Sequence, residues 1–133
     1  MKLTSRTEYA LLALAHLGRR YGEPAVPLPE IAEAEGIPAR FLHQIFQSLK
    51  AARLVFSTKG RVGGFALARP PEEITLAEVV RLFDGPLAPT DSVSVHFYHK
   101  TPIERNPELV RLFREIRDYI SERLESVTLA DIS

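Results

Sequence analysis

Six basic residues of this 133-residue chain stand in a window that contains no acidic residue. The acid-free window lies between Glu35 and Glu72, and its basic residues are Arg40, Lys50, Arg53, Lys59, Arg61 and Arg69. Guanidinium and ammonium groups that no carboxylate neutralises attract phosphate groups, with a strength that depends on salt. The window therefore predicts a surface that binds a polyanion.

The composition narrows the class of protein. Residues 1–69 hold 10 Lys and Arg against 5 Asp and Glu, whereas residues 70–133 hold 7 against 12, so that a total charge of zero hides two unlike halves. Since there is no cysteine, disulfides, thiolate nucleophiles and cysteine-held iron–sulfur clusters are excluded. No apolar run is long enough to cross a membrane, and we expect a cytoplasmic protein with one core and no membrane partner.

Capping and stop signals predict two helices ahead of the acid-free window. Ser5, with Glu8 three residues later, has the pattern of a capping box for a first helix from about Arg6 to about Arg20. Pro29 can take the first position of a short second helix, which Gly36 ends. A tight turn then leads into the window.

The window begins with a third helix, which Pro38 can open. One side of this helix is apolar and comprises Phe41, Leu42, Ile45, Phe46, Leu49 and Ala52. The opposite side carries Arg40, His43, Gln44, Gln47 and Lys50. Two strands follow, Leu54–Ser57 and Phe65–Ala68, joined by a basic loop with three glycines suited to positive backbone φ. This order of elements predicts a winged helix-turn-helix.

The rest of the chain predicts a fourth helix, a loop and a long fifth helix. Thr75 and Glu78 form a capping box for a helix from about Leu76 to Asp84, which Gly85 ends. Residues 86–106 contain prolines and no sustained period, so we expect an extended, partly disordered loop.

Asn106 can cap, and Pro107 can open, the long C-terminal helix. Its near-heptad apolar stripe comprises Leu109, Leu112, Phe113, Ile116, Tyr119, Ile120 and Leu124. Such a stripe suits either packing on the helix's own domain or pairing with a partner helix in a dimer. Thr128 and Asp131 resemble a last short capped turn.

The winged helix-turn-helix assigns separate tasks to the polar residues if the polyanion is DNA. The start of the third helix would read base edges in the major groove through Ala39, Arg40, His43, Gln44 and Gln47. Phosphates or the minor groove would be contacted by Lys50, Arg53, Lys59, Gly60 and Arg61.

Five segments that cover nearly the whole chain read MKLTSRTEYALLAL, VPLPEIAEAEGIPARFLHQIFQSLKAARLV, GRVGGFAL, ITLAEVVRLFDGPLAP and VTLADI. They resemble the Rrf2 family of bacterial winged-helix transcription regulators, which includes the IscR, NsrR and CymR types. The resemblance implies a mainly α fold with a small β-hairpin. It also implies a homodimer that binds a palindromic operator. We expect the dimer to be a repressor rather than an activator. It divides the chain into a DNA-binding domain at 1–85, a loop at 86–106, and a dimerisation helix with a C-terminal turn at 107–133.

The loop departs from the family's pattern. Many members carry three cysteines there that hold an iron–sulfur cluster, whereas here Ser92 stands near the first of these positions and Thr101–Asn106 spans the others. A serine hydroxyl is a poor iron ligand, so we expect no cluster and no other cofactor.

Two alternative functions stay open. The fold could serve as a protein-interaction module regulated by a partner protein. His96 and His99 could instead form a metal-sensing site, although an i, i+3 histidine pair without further ligands is more often solvated or packed, and we expect no metal. The sequence has no motif of a catalytic site, so we expect no enzyme. It does not indicate which small-molecule or protein effector would regulate the chain.

Overall fold

The computed structural model describes residues 1–60 and 63–133, and it is mainly helical with one β-hairpin, which confirms the predicted fold class. The helices are α1 Ser5–Arg19, α2 Leu28–Glu35, α3 Ala39–Ala51, α4 Leu76–Asp84, α5 Pro107–Ser126 and α6 Leu129–Ile132. The hairpin strands are β1 Val55–Thr58 and β2 Gly64–Leu67. Short 3-10 turns lie at Pro71–Glu73, Asp91–Val93 and Pro102–Arg105.

The N-terminus of α1 is capped one residue earlier than predicted. Thr4, rather than Ser5, is the N-cap, and its side chain accepts a hydrogen bond from the amide of Thr7. Asp84, at the end of α4, also accepts hydrogen bonds from the hydroxyls of Thr4 and Thr7, over 2.8 and 2.7 Å. The cap therefore depends on a carboxylate that is distant in sequence, and a local capping box could not show it.

The turn between α2 and α3 follows the prediction. Gly36 caps α2 with a φ of 67°, in the left-handed region that glycine adopts without strain. On its inner side α3 buries four residues completely, Leu42, Ile45, Phe46 and Leu49. Burial of each contributes roughly 1.5–3 kcal/mol, so the orientation of α3 about its own axis is fixed. Ala52, predicted for this stripe, is exposed because α3 ends at Ala51.

The hairpin is antiparallel, with Val55 opposite Leu67 and Thr58 opposite Gly64. Of the three loop glycines, Gly60 has the predicted positive φ, at 128°, whereas Gly64 does not. The other two lie close to the backbone instead. A Cβ on Gly64 would stand 2.3 Å from the carbonyl oxygen of Val26, and one on Gly63 would stand 2.9 Å from that of Thr58.

The predicted bounds of α4 are confirmed, but only half of its capping box forms. The Thr75 hydroxyl accepts a hydrogen bond from the amide of Glu78. The Glu78 carboxylate accepts hydrogen bonds from Arg69 and not from the amide of Thr75. The C-terminus of the chain then returns to this region. Leu129 is completely buried in the main core, and its amide donates to the carbonyl of Ile74 over 2.9 Å. The capped turn predicted at Thr128 is confirmed, and it helps close the core around α1.

Residues 86–106 form a compact segment rather than the extended loop that was predicted. Leu87, Ala88 and Val93 are buried, and two 3-10 turns fold the segment back on itself. The predicted cap of α5 is confirmed, because the side chain of Asn106 accepts hydrogen bonds from the amides of Glu108 and Leu109.

Candidate nucleic-acid interface

The outer face of α3 is a row of exposed polar side chains on a rigid support. Arg40, His43, Gln44, Gln47 and Lys50 are all exposed, and Ala39 begins the helix beside them. The guanidinium carbon of Arg40 lies 4.9 Å above the ring of the half-buried Phe41, which is an arrangement that orients the charge without neutralising it. The structure therefore brings together the five predicted base-reading residues at one end and along one side of a single helix.

Ion pairing sorts the basic residues of the chain into two groups. Within residues 1–60 and 63–133, carboxylates lie within 4.0 Å of Arg19, Arg20, Arg69, Arg81, Arg111 and Arg117. Among the same residues, no carboxylate lies within 4.0 Å of the charged groups of Arg40, Lys50, Arg53 or Lys59. Among the described residues, the basic groups predicted to read bases or to face phosphates thus have no carboxylate partner, whereas Arg69 has one.

Arg53 connects α3 to the hairpin through a backbone conformation that is unusual for its type. Its φ is 61°, and it is the only positive φ of a non-glycine residue in the described part of the chain. The amide of the next residue, Leu54, donates to the carbonyl of Leu49 over 3.0 Å, which is the closing bond of a Schellman cap. This position usually holds glycine, so the arginine accepts backbone strain at the point where the wing begins.

The tip of the hairpin carries two of the remaining predicted contacts. Lys59 and Gly60 are exposed next to the end of β1. Arg61, which was predicted to contact phosphates or the minor groove, lies outside the described residues. Hairpin pairing places Lys59 beyond the last paired position, Thr58 opposite Gly64, so its side chain lies at the far end of the wing from the core.

A polar cluster occupies the loop between α4 and α5. We call it the Ser92 cluster, and it consists of Ser92, Tyr98, Thr101 and Glu104. The Ser92 hydroxyl lies 2.5 Å from that of Thr101 and 3.0 Å from a carboxylate oxygen of Glu104. Tyr98 donates to the other oxygen of Glu104 over 2.9 Å. Desolvation raises the pKa of the Glu104 carboxyl, but the hydrogen bonds from Tyr98, Ser92 and the amide of Thr101, with the charge of Lys100, together outweigh it and lower that pKa.

The structure gives His96 and His99 no further ligands. Both side chains are exposed, and no group of three or more His, Cys, Asp or Glu side chains in residues 1–60 and 63–133 is placed to hold a metal ion. No helix among the described residues is long and apolar enough to span a membrane.

Comparison with known proteins identifies the family. The model of the Rrf2 family, described as "Iron-dependent Transcriptional regulator", matches residues 3–133. The chain belongs to the Rrf2 family. It is thus one of a family of DNA-binding transcription regulators and not an enzyme.

Named relatives support this membership over most of their lengths. The transcriptional regulator IscR of Aliivibrio salmonicida is 31% identical, with 99% of this chain and 77% of IscR covered. The regulator CymR of Bacillus subtilis is 29% identical, with 100% of this chain and 90% of CymR covered. The solved structure of CymR, named in its description the global cysteine regulator of B. subtilis, superposes with a TM-score of 0.81 at 30% identity, over 99% of this chain and 95% of that one.

The residues of this chain do not fit the iron–sulfur cluster that the family's iron dependence suggests. No cysteine is available to bind iron. In the loop, Ser92 is 9% exposed. Its hydroxyl oxygen also accepts a hydrogen bond from the amide of Thr101 over 2.9 Å. A hydroxyl with this many hydrogen-bond partners is not poised as an iron ligand.

Sequence reasoning missed one neighbour of the α3 face. The ring of Tyr9, on α1, lies 6.0 Å from that of Phe41. Which helix the Tyr9 ring faces depends on how α1 and α3 pack, and the sequence of α1 alone does not show this.

Proposed function

We propose that this chain is a homodimeric, sequence-specific DNA-binding regulator that represses transcription from a palindromic operator without an iron–sulfur cluster. The observation that carries the proposal is the outer face of α3. Its polar side chains are exposed and its basic groups have no carboxylate partner within the described residues, while its inner face is locked into the core.

Base reading is assigned to the first turns of α3. An arginine can donate two hydrogen bonds to guanine and a glutamine can pair with adenine, each pair worth about 1–3 kcal/mol of discrimination. Arg40, His43, Gln44 and Gln47, with Ala39 in apolar contact, would supply sequence choice. Lys50, Arg53, Lys59, Gly60 and Arg61 would follow the backbone or the minor groove, which gives affinity and salt dependence.

The homodimer is supported by the exposed side of α5. Leu109, Leu112, Ile116 and Tyr119 are exposed at spacings of three and four residues, the a/d pattern of a coiled coil. The adjacent side of α5 is already used, since Ile120 and Leu124 pack on Ala77, Val80 and Leu87. The predicted stripe therefore divides, and the exposed seam is what a second copy would cover. A two-fold dimer of winged helices calls for a palindromic site.

Repression is proposed as the simplest effect of such a dimer, because a protein that fills the grooves of promoter DNA excludes other proteins from the same grooves. Transcription in vitro from a template that carries the operator distinguishes the two directions. The transcript is expected to decrease as the protein is added, and an increase would contradict repression.

Selection of binding sites from random DNA, followed by footprinting on the selected site, tests sequence-specific binding. The expected result is a two-fold symmetric site whose affinity falls steeply with salt. Arg40→Ala is expected to relax preference at one base pair in each half-site, while Arg114→Ala, which removes a charge from the side of α5 away from the exposed seam, is expected to change neither preference nor affinity. The absence of an enriched site together with a flat salt response would contradict the proposal.

The same preparation tests the absence of a cluster and the protein-interaction alternative. Anaerobic treatment with ferrous iron and sulfide is expected to give no stoichiometric iron and no change in DNA affinity. Stoichiometric iron that alters DNA affinity would contradict that part of the proposal. If Arg40→Ala with His43→Ala left regulation intact in cells, the interaction module would be favoured instead.

A further inference from the structure

The base-reading end of α3 is continuous with α1 through stacked side chains. Arg40 lies over the ring of Phe41, with its guanidinium carbon 4.9 Å from the ring centroid. The ring of Phe41 in turn lies 6.0 Å from that of Tyr9, at an interplanar angle of 31°. Tyr9 is half-buried, and one turn earlier on α1 stands Arg6, which is exposed. Residues three apart on a helix are surface neighbours, so Arg6 and Tyr9 form one patch beside the start of α3.

Arg6 keeps its charge available. Its guanidinium carbon lies 5.7 Å from the centroid of the Phe83 ring, and it belongs to no ion pair formed by residues 1–60 and 63–133. Asp84, the neighbour of Phe83, is instead hydrogen-bonded to the hydroxyls of Thr4 and Thr7. The carboxylate of Asp84 is therefore near Arg6 in the fold, but it accepts hydrogen bonds from the two threonine hydroxyls and does not pair with Arg6.

We propose that Arg6 and Tyr9 bind a backbone phosphate of the operator, next to the base pairs that Arg40 faces. The inference rests on the proposed DNA-binding function and extends its interface from α3 to α1. The guanidinium of Arg6 supplies charge and two donors, and the phenol of Tyr9 supplies a third. These side chains, rather than the helix terminus, make the contact, because Thr4 already caps the amide of Thr7. The patch positions α3 in the groove and reads no base.

Fluorescence anisotropy with the selected operator and with an unrelated duplex, over a series of salt concentrations, tests the proposal. Arg6→Gln is expected to lower the affinity for both duplexes by the same factor and to reduce the slope of log affinity against log salt by about 0.9 for each protomer. Tyr9→Phe keeps the ring on Phe41 and removes only the hydroxyl, so a several-fold loss of affinity is expected with an unchanged thermal midpoint. Arg114→Gln removes the same charge from the side of α5 away from the exposed seam and serves as the matched control.

The outcomes separate this inference from the function on which it rests. If the unaltered protein binds with a steep salt slope while Arg6→Gln leaves slope and affinity unchanged, the α1 contact is overturned and DNA binding stands. An equal effect of Arg114→Gln would also overturn it, since the loss would then reflect total charge. If the unaltered protein binds neither duplex, both proposals fall.

Discussion

The guanidinium of Arg69, just after the wing, and the carboxylate of Glu78, on α4, form a two-point ion pair. Nη1 donates to Oε1 over 2.9 Å and Nη2 donates to Oε2 over 2.7 Å. Nη2 also donates to the carbonyl of Glu73, over 2.8 Å. The hydrogen bond that Arg69 donates to Glu78 raises the pKa of Arg69 against a smaller opposing effect of desolvation. The last basic residue of the acid-free window thus ties the wing to α4 and is unavailable to DNA.

Replacing Arg69 is therefore expected to affect stability and not the salt dependence of DNA binding. Arg69→Gln should lower the free energy of unfolding by about 1 kcal/mol, a modest amount because both side chains are more than a third exposed to solvent. Urea unfolding at one fixed protein concentration measures the first effect. Anisotropy titrations at several salt concentrations measure the second.

Lys59→Gln is the matched comparison for Arg69→Gln. Lys59 belongs to no ion pair within the described residues, so its loss should reduce the salt slope by about 0.9 for each protomer and leave the free energy of unfolding within about 0.5 kcal/mol. Equal reductions of the salt slope by the two substitutions would show that Arg69 also faces phosphate.

Arg53 is expected to show a conflict between stability and DNA affinity. A left-handed φ costs a non-glycine residue about 1–2 kcal/mol, and replacement by glycine removes this cost. Glycine also increases the conformational entropy of the unfolded chain, which offsets part of the stabilisation. Arg53→Gly should therefore raise the free energy of unfolding by about 0.5–1 kcal/mol while it weakens DNA binding. Urea unfolding and anisotropy report the two quantities.

Arg53→Ala separates the charge from the strain, because alanine removes the guanidinium and keeps the Cβ. The alanine variant should bind DNA as weakly as the glycine variant, yet be less stable than it. If the alanine variant proved the more stable of the two, the φ of 61° would not be a source of strain.

The exposed seam of α5 is expected to control the oligomeric state. Leu112→Glu should weaken dimerisation by about 3 kcal/mol or more, because a symmetric interface loses the burial of this side chain twice. Size-exclusion chromatography with light scattering, over a range of concentrations, measures the shift towards monomer. Leu12→Glu on α1 is the control, since Leu12 is 45% exposed and Leu112 is 48% exposed. A dimer that survives Leu112→Glu unchanged would place the interface elsewhere.

Asp84 is expected to make stability depend on pH in the acid range. Desolvation raises the pKa of its carboxyl, but the hydrogen bonds from Thr7 and Thr4 outweigh it, so the folded-state pKa is below the ordinary value of 3.8. The unfolded chain then binds more protons, and the contribution of Asp84 is complete above pH 3.8 and is lost as pH falls through the lowered pKa.

Asp84→Asn tests this dependence through thermal midpoints measured from neutral to acid pH. The variant should be less stable than the unaltered protein by about 1 kcal/mol at neutral pH, and the difference should shrink as pH falls below the ordinary pKa of the carboxyl. A difference that stays constant down to the acid limit would show that charge at Asp84 does not stabilise the cap.

The local elements were predictable because their signals are local. Gly36 ends α2 through its own left-handed backbone, and Thr75 begins α4 through its own hydroxyl. The amphipathic pattern of α3 predicted which face is buried, since a helix of this period has only one apolar side to bury. The prediction that the loop is extended was wrong, because its hydrogen bonds join residues that are distant in sequence, as from Ser92 to Glu104, 12 positions further on.

The sequence by itself determined the acid-free window, the lack of cysteine, the winged helix-turn-helix and the polar face of α3. Only the tertiary structure decided which basic groups stay free, which side of α5 remains exposed, and that Tyr9 lies beside Phe41. The physical reason is that periodicity shows which side of an element must be covered, whereas packing selects the neighbour that covers it. For Arg69 that neighbour is Glu78, and for Arg40 no carboxylate in the described part of the chain takes this place.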